Sequence, residues 1–140
     1  MSDEPLRKLL RSQHLGVLAT LLPDGGPHLS TITYAIDEAS TLVRISITDS
    51  RIKTRNLRRD PRAALHVTGD TPWAWATAEG TAELSSVAAD PHDETVEELV
   101  SYYRAVRGEH PDWDDYRRAM VAEKRLVLRL PVERLYGQAP

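Results

Sequence analysis

The segment of residues 41–67 (TLVRISITDSRIKTRNLRRDPRAALHV) restricts the fold more than any other, because it predicts a strand, a short basic helix and a second strand in close succession. Its first part alternates apolar and polar residues, the period of a strand with one buried face. The apolar positions are Val43, Ile45 and Ile47. Asp49 and Ser50 are residue types that cap helices, so we expect a helix to begin there. The Asp60-Pro61 pair ends that helix, and a strand follows it.

Five cations lie within nine residues of the predicted helix. They are Arg51, Lys53, Arg55, Arg58 and Arg59. Backbone N–H groups and the helix dipole favour an anion at the start of a helix, and Arg and Lys side chains add charge-assisted hydrogen bonds. For a short basic helix taken alone, a solvated helix face is the more common explanation of such a pattern. The segment alone therefore leaves two interpretations open, an anion site and a charged surface.

Composition narrows the class of protein. The net charge of −3 makes the basic segment a local patch on an acidic chain, so we expect no nucleic-acid partner. Cysteine is absent, which excludes disulfides and thiol chemistry. The chain has no apolar run long enough to span a membrane and its first residues do not resemble a signal peptide, so we expect a soluble cytoplasmic protein. No metal site is expected, because the five histidines have no paired spacing. They are His14, His28, His66, His92 and His110.

Alternating apolar residues between turn signals predict the other strands. In chain order the predicted strands cover residues 16–22, 28–36, 41–48, 63–68, 73–84, 125–130 and 135–137. Helices are predicted at residues 3–14, in the basic segment, at residues 91–106 and at residues 111–123. Strands outnumber helices and fall in hairpins. We therefore expect residues 1–140 to form one domain, a mainly antiparallel and nearly closed sheet with peripheral helices.

Three local features refine this prediction. Ser2 or Asp3 is expected to cap the first helix, and Asp90 the third. Gly80 indicates a bulge or a close approach within its strand. Trp73 and Trp75 are two positions apart, which would place them on one face of the same strand. That pair is typical of a core, and equally of an interface or ligand wall.

The chain resembles the split β-barrel superfamily of pyridoxamine 5′-phosphate oxidases and flavin reductases, and more closely its small actinobacterial branch that binds the 5-deazaflavin coenzyme F420. The resemblance rests on five stretches that follow one another along almost the whole chain. They are GVLATLLPDGGPHLS (residues 16–30), ISITDSRIKTRNLRRDPRA (45–63), WAWATAEGTAEL (73–84), GEHPDWDDYRRAMV (108–121) and RLVLRLPVERLYG (125–137).

The resemblance implies a homodimer with two cofactor sites at the subunit interface. It implies that Ser46 and Ile47 lie on the strand beside the cofactor. The positions that hold the phosphate and ring edge correspond to Arg51, Lys53 and Asn56. The other wall corresponds to His28, Ser30 and Thr31, although relatives can carry an amide in place of Thr31. Trp73 and Trp75 would come from the partner subunit and cover the site.

The activity that the resemblance implies is hydride transfer from reduced F420 to a small organic acceptor. This fits a chain without a nucleophile-and-base motif, because the coenzyme carries the chemistry and the protein binds and orients it. No proton donor can be assigned, and His28 and Tyr136 are the two candidates. One alternative is an FMN-dependent oxidase or reductase of the same superfamily. Another is a carrier of a deazaflavin or a tetrapyrrole without catalysis.

Overall fold

Residues 3–139, which the computed structural model of this protein describes, form four helices and nine strands. The helices are α1 (Glu4–Ser12), α2 (Ile52–Arg59), α3 (Glu94–Arg107) and α4 (Trp113–Ala122). The strands are β1 (Leu15–Leu21), β2 (Pro27–Thr33), β3 (Ala35–Ile36), β4 (Leu42–Thr48), β5 (Arg62–Thr68), β6 (Trp75–Thr81), β7 (Glu83–Leu84), β8 (Arg125–Pro131) and β9 (Arg134–Gln138).

The strands form two antiparallel sheets that enclose one apolar core. Sheet A has the order β2-β1-β5-β6-β9 and sheet B the order β3-β4-β8-β7. The inward side chains of both sheets meet in that core, with Leu18 and Leu65 from sheet A and Ile45 and Leu128 from sheet B. The predicted mainly antiparallel fold with peripheral helices is thereby confirmed.

Two predicted strands are each divided between the sheets. The predicted strand 28–36 breaks at Tyr34, whose N–H donates to the His14 carbonyl (2.8 Å) and whose hydroxyl donates to the Leu10 carbonyl (2.6 Å). The predicted strand 73–84 breaks at Ala82, whose N–H donates to the Pro61 carbonyl (2.7 Å). Both backbone bonds continue a sheet A ladder by one residue, and the chain enters sheet B directly after it, at Ala35 and at Glu83.

The tryptophan prediction was wrong in part, because Trp73 lies in the turn that precedes β6, while Trp75 begins that strand. The two rings therefore do not share a strand face. The prediction for Gly80 was right. A Cβ atom there would lie 2.0 Å from the carbonyl oxygen of Pro131, so only glycine allows β6 to approach the end of β8 so closely.

The helix caps differ from those predicted. Arg51 is the N-cap of α2, without a side-chain cap bond, and neither Asp49 nor Ser50 fills that position. Helix α3 begins later than expected, at Glu94, where Asp93 caps it by accepting from the Val96 N–H (2.9 Å).

The first helix is shorter than the predicted 3–14 and ends at Ser12. Asp3 is its N-cap residue, but the carboxylate accepts from Arg7 Nε (3.1 Å) and makes no cap bond. Ser2, the other predicted cap, lies outside the described residues.

Helices α3 and α4 pack on the outward face of sheet B. Val127, in the middle of β8, is fully buried beneath them. The residues that cover it are Val96, Leu99, Val100, Tyr116 and Met120. The outward face of sheet B is therefore covered within the chain.

Candidate functional site

The start of α2 is fixed by its connection to the end of β4 and the beginning of β8. The Thr48 carbonyl accepts from the Arg51 N–H (3.2 Å) and from the Thr54 hydroxyl (2.7 Å). The Asp49 N–H donates to the Lys124 carbonyl (3.0 Å). The first turn of the basic helix is therefore held against both strands of sheet B.

The five cations of the basic segment divide into two groups. Arg58 pairs with Asp49 (2.7 Å), and Arg59 donates to the Leu21 carbonyl. Within residues 3–139, no carboxylate lies within ion-pair distance of the remaining three. Those three are Arg51, Lys53 and Arg55. The charged-surface interpretation therefore applies to Arg58 and Arg59 at the end of the helix. The positive charge at the beginning of the helix is not compensated by a carboxylate among the described residues.

Lys53 is the most informative of these cations. Its side chain is half-buried, and burial lowers the pKa of its ammonium, with further lowering by the neighbouring charges of Arg51 and Arg125. Three cations therefore converge at the start of α2. Sequence reasoning missed Arg125, although its place at the beginning of a strand that could pair with β4 was a usable signal.

Asn56, predicted to contact a cofactor, is only 2% exposed. Its Nδ2 donates to Thr20 Oγ1 (3.1 Å), and its Oδ1 accepts from Arg59 Nη2 (3.2 Å). The amide is thus engaged within the protein, where it holds α2 against β1.

The predicted residues of β2 lie on opposite faces of that strand. His28 and Ser30 point inward with Ile32, and Thr31 points outward. The His28 Nδ1 and Ser30 Oγ atoms are buried, and neither has a hydrogen-bond partner within residues 3–139. Most buried polar atoms in proteins have partners, so these two are candidates for contact with a ligand.

Beside them, β4 has a free edge. β8 pairs with all of β4 along one side, but on the other side β3 pairs only with Val43 and Arg44. In the part of the chain that the structure describes, residues 45–48 therefore have no strand on that edge. β2 is an edge strand of sheet A and contacts β4, and we call the region between the uncovered edge of β4 and the inward side of β2 the slot.

The two predicted residues of β4 also occupy opposite faces. Ser46 is partly buried on the side of the helices, and Ile47 is 1% exposed within the core. The Ile47 side chain is therefore enclosed by protein. Contact with a ligand in the slot would involve the backbone of this strand.

The tryptophans and Thr31 lie away from the slot, on or beside the outward face of sheet A. Trp73 is 77% exposed. The Trp75 ring packs against His66 (5.5 Å between centroids) and Tyr136 (6.1 Å). The structure thus brings together the residues of β2, β4 and α2 and separates from them Thr31, Trp73 and Trp75.

Two concave surfaces stand out among the described residues, and neither includes the slot. The larger, of about 470 Å³, lies on sheet A between Ala19, Ala64 and Gly80, and none of the predicted site residues lines it. The smaller, of about 300 Å³, lies between α2 and the β1–β2 turn and includes Asn56 and Arg55. Residues 3–139 contain no group of three or more His, Asp or Glu side chains that could hold a metal ion. None of the described helices is long and apolar enough to cross a membrane.

Comparison with known proteins gives a family match along almost the whole chain. The model of the family described as pyridoxamine 5′-phosphate oxidase matches residues 2–139. An F420H(2)-dependent biliverdin reductase of Mycobacterium tuberculosis is 25% identical over 139 residues, which cover 99% of this chain and 89% of the relative.

Solved structures give a consistent result. A conserved hypothetical protein of Mycobacterium tuberculosis has a TM-score of 0.72 at 27% identity, with 96% of this chain and 82% of that chain covered. A structure named F420 reductase has a TM-score of 0.69 at 25% identity, with 98% of this chain and 100% of that chain covered.

Proposed function

The chain belongs to the pyridoxamine 5′-phosphate oxidase family, and from that premise we propose that it is an F420-dependent oxidoreductase that transfers hydride from the reduced coenzyme to a small organic acceptor. One relative is named F420H(2)-dependent biliverdin reductase and one solved structure F420 reductase, each at 25% identity. The observation that carries the proposal is the uncompensated positive charge at the start of α2, beside the slot.

The residues of the slot fit such a group. His28 Nδ1 and Ser30 Oγ are buried atoms whose hydrogen-bonding capacity is unused within the described chain, and a ring with polar edges would satisfy them. The uncovered edge of β4 at residues 45–47 offers backbone hydrogen-bonding groups that no strand satisfies within the described residues. Arg51 and Lys53 would hold the phosphate.

When bound, a deazaflavin supplies two-electron hydride chemistry. The protein's part is to bind, to orient and to exclude water. The apolar core beneath Ile47 provides a dry floor to the slot. Asn56 holds α2, and with it the cations, in a fixed position on β1.

Of the two candidates for proton donor, His28 is the one that borders the slot within a single chain. Tyr136 lies on β9, at the opposite edge of sheet A from β2. Four strand spacings correspond to about 19 Å, which is too far for direct proton transfer. Its hydroxyl donates to Glu79 Oε2 (2.9 Å).

We further propose that the protein is a homodimer that associates through the outward face of sheet A. In a single chain, Leu15 and Leu29 on this face are exposed to solvent, and Trp75 is partly exposed. As the resemblance implies, Trp73 and Trp75 of the partner copy would then cover the slot of the first. The cytoplasm is the compartment in which we expect such an enzyme.

The proposal is tested by titrating the purified protein with F420 and separately with FMN, following intrinsic Trp fluorescence. We expect tight binding of F420 and weak binding of FMN. Lys53→Ala and Arg51→Ala should each weaken F420 binding about tenfold, since each removes a charge-assisted hydrogen bond. Their thermal midpoints should stay near that of the wild type, because neither cation forms an ion pair within residues 3–139.

Two results would contradict the proposal. Preference for FMN would assign the protein to the flavin-dependent members of the family. Binding of F420 without turnover of quinones, nitroaromatics, unsaturated lactones or tetrapyrroles, measured as consumption of reduced coenzyme, would favour a carrier.

Arg118→Ala is the matched control for the two substitutions, because Arg118 is an exposed arginine of α4 that belongs to neither the slot nor α2.

A further inference from the structure

A row of polar side chains leads from α2 to the slot. It begins at Arg59, whose Nη2 donates to Asn56 Oδ1 (3.2 Å), and continues with Asn56 Nδ2, which donates to Thr20 Oγ1 (3.1 Å). Thr20 is the ladder partner of His28, and both side chains point inward. Directly opposite side chains on one face of an antiparallel pair have Cβ atoms about 4.5–5.5 Å apart. His28 is therefore the next side chain in the row.

The chemistry of the side chains sets the direction of these hydrogen bonds. A guanidinium has only N–H groups, so the oxygen of the Asn56 amide must face Arg59 and the amide NH2 must face Thr20. An NH2 group only donates, so Thr20 Oγ1 accepts from it and keeps its own proton for a second bond. Within residues 3–139, no acceptor takes that proton, although Thr20 is only 1% exposed.

The His28 imidazole has the complementary vacancy. Its Nδ1 is buried and receives no hydrogen bond within residues 3–139, whereas its Nε2 has no partner there but is accessible. Ser30 Oγ is the other unpartnered atom of β2, and it belongs to a residue about 7 Å along the strand. Thr20 therefore carries the nearer hydroxyl, and a rotation of the two side chains would join it to Nδ1.

We propose that Arg59, Asn56 and Thr20 position His28 as a hydrogen-bond donor toward the slot, with the Thr20 hydroxyl donating to Nδ1. The neutral ring then carries its proton on Nε2, at the accessible side of the imidazole. Every bond in the row has the same direction, from the guanidinium to the imidazole, and such bonds polarise one another. The slot therefore selects a ligand that places an acceptor atom opposite Nε2, and it disfavours one with a donor there.

The inference rests on the proposed function only for the identity of the ligand, because the row of hydrogen bonds belongs to the protein alone. Arg59 and Asn56 are positioning residues that act through Thr20. His28 is the residue that touches the ligand, and its proton stays on the ring. When hydride from the reduced coenzyme completes a reduction, the accompanying proton then comes from water.

The test reverses the row with one isosteric substitution. In Asn56→Asp the carboxylate only accepts, so the Thr20 hydroxyl should turn to it and Thr20 Oγ1 should accept from His28 Nδ1–H. The tautomer of His28 should therefore change from Nε2–H to Nδ1–H. Nitrogen-15 NMR of the histidine-labelled free protein measures this at alkaline pH, where an imidazole is neutral. The His28 signals are identified by their loss in His28→Gln.

Thr20→Val removes the hydroxyl that transmits the effect, so Asn56→Asp should no longer change the tautomer in that background. Thr20→Ser keeps a hydroxyl and should behave as the wild type. Thr31→Val, on the outward face of the same strand as His28, is the matched control and should leave the His28 signals unchanged.

Three results would overturn the inference. They are a wild-type His28 in the Nδ1–H tautomer, an unchanged tautomer in Asn56→Asp, and an effect of Asn56→Asp that persists in Thr20→Val. If Asn56→Asp does not fold, the two Thr20 variants decide the question. Only Thr20→Val should then move the Nδ1 signal away from that of a nitrogen that accepts a hydrogen bond, and an unmoved signal counts against the inference.

A second measurement uses F420 as the probe. His28→Leu should weaken F420 binding about fivefold, the effect of one neutral hydrogen bond, and His28→Gln, whose amide keeps a donor, should weaken it less. If F420 does not bind to the wild type while the tautomer responds as expected, the proposed coenzyme is wrong and the row stands. If F420 binds and the tautomer does not respond to Asn56→Asp, the coenzyme stands and the inference fails.

Discussion

The inward side chains of both sheets pack into one core, but the outward faces of the two sheets differ in whether helices cover them. On sheet B, α3 and α4 cover the outward side chains, and Val127 is completely buried. On sheet A, Leu15 and Leu29 point outward from neighbouring strands and are 60% and 62% exposed. Within residues 3–139 no helix packs on that face of sheet A, since α1 packs its leucines into the shared core.

This difference indicates where a second molecule would bind. An antiparallel sheet can leave one face to water when that face is polar. The outward face of sheet A is instead mixed, with leucines, alanines and a tryptophan among His66, Thr77 and Glu79. A face of this composition suits association with another copy, whereas the corresponding face of sheet B is already covered within the chain.

The largest expected difference between the faces is in stability. Leu99→Ala, on the packed face of α3, removes a fully buried side chain and should lower the free energy of unfolding by about 2–5 kcal/mol. Leu29→Ala, its counterpart on sheet A, should change it by less than about 0.5 kcal/mol in protein diluted to the monomer. Urea denaturation measures both, and equal losses would mean that the two faces are equally covered in a single chain.

Sequence alone predicted the covered side better than the open one. The spacing of apolar residues along 91–106 predicted a helix with one packed face, and Val96, Leu99 and Val100 are buried there. The alternation in β1 is the same whether its outward residues meet a helix, a partner or water. Val17 and Ala19 therefore carry no signal that distinguishes these outcomes.

The candidate site was predictable where its residues are close in sequence. The cluster of cations in α2 indicated an anion site, and three of those cations lack a carboxylate partner among the described residues. Arg125 was missed, because its approach to Lys53 depends on the pairing of β4 with β8. The division of the β2 residues between two faces follows from strand geometry, but which face borders the slot depends on the tertiary fold.

A charged residue introduced on the outward face of sheet A should weaken dimer formation, whereas one introduced on the exposed side of α3 should not. Leu29→Asp would place a carboxylate within the proposed interface, where burial without a partner costs several kcal/mol. We expect the dimer to dissociate at protein concentrations where the wild type stays associated, as measured by sedimentation equilibrium. Ala105→Asp, an exposed position of α3, is the matched control and should remain dimeric. A monomeric wild type, or a Leu29→Asp dimer of unchanged affinity, would refute the proposed interface.

The smallest expected difference is in the pH at which two tyrosine hydroxyls ionise, one on the covered face of sheet B and one on the open face of sheet A. Tyr116, a residue of α4 on the covered face of sheet B, donates to the Leu99 carbonyl (2.9 Å), and burial raises the pKa of its hydroxyl. Its unfolded pKa is about 10, so the stability it contributes is present below that pH and is lost as the pH rises above it. Its phenolate should therefore appear only together with unfolding.

Tyr136, on the open face, should titrate while the protein remains folded. Its hydrogen bond to Glu79 raises the pKa of the hydroxyl, and the Arg134 charge lowers it. Glu79→Gln should therefore lower this pKa and Arg134→Ala should raise it, as measured from phenolate absorbance against a Tyr136→Phe background. Shifts in the same direction for both variants would contradict the assigned contacts. If the two substitutions do not change the Tyr136 pKa in the dimer but do change it in the Leu29→Asp monomer, Tyr136 lies within the interface. The titration would then report which face of the molecule the partner covers.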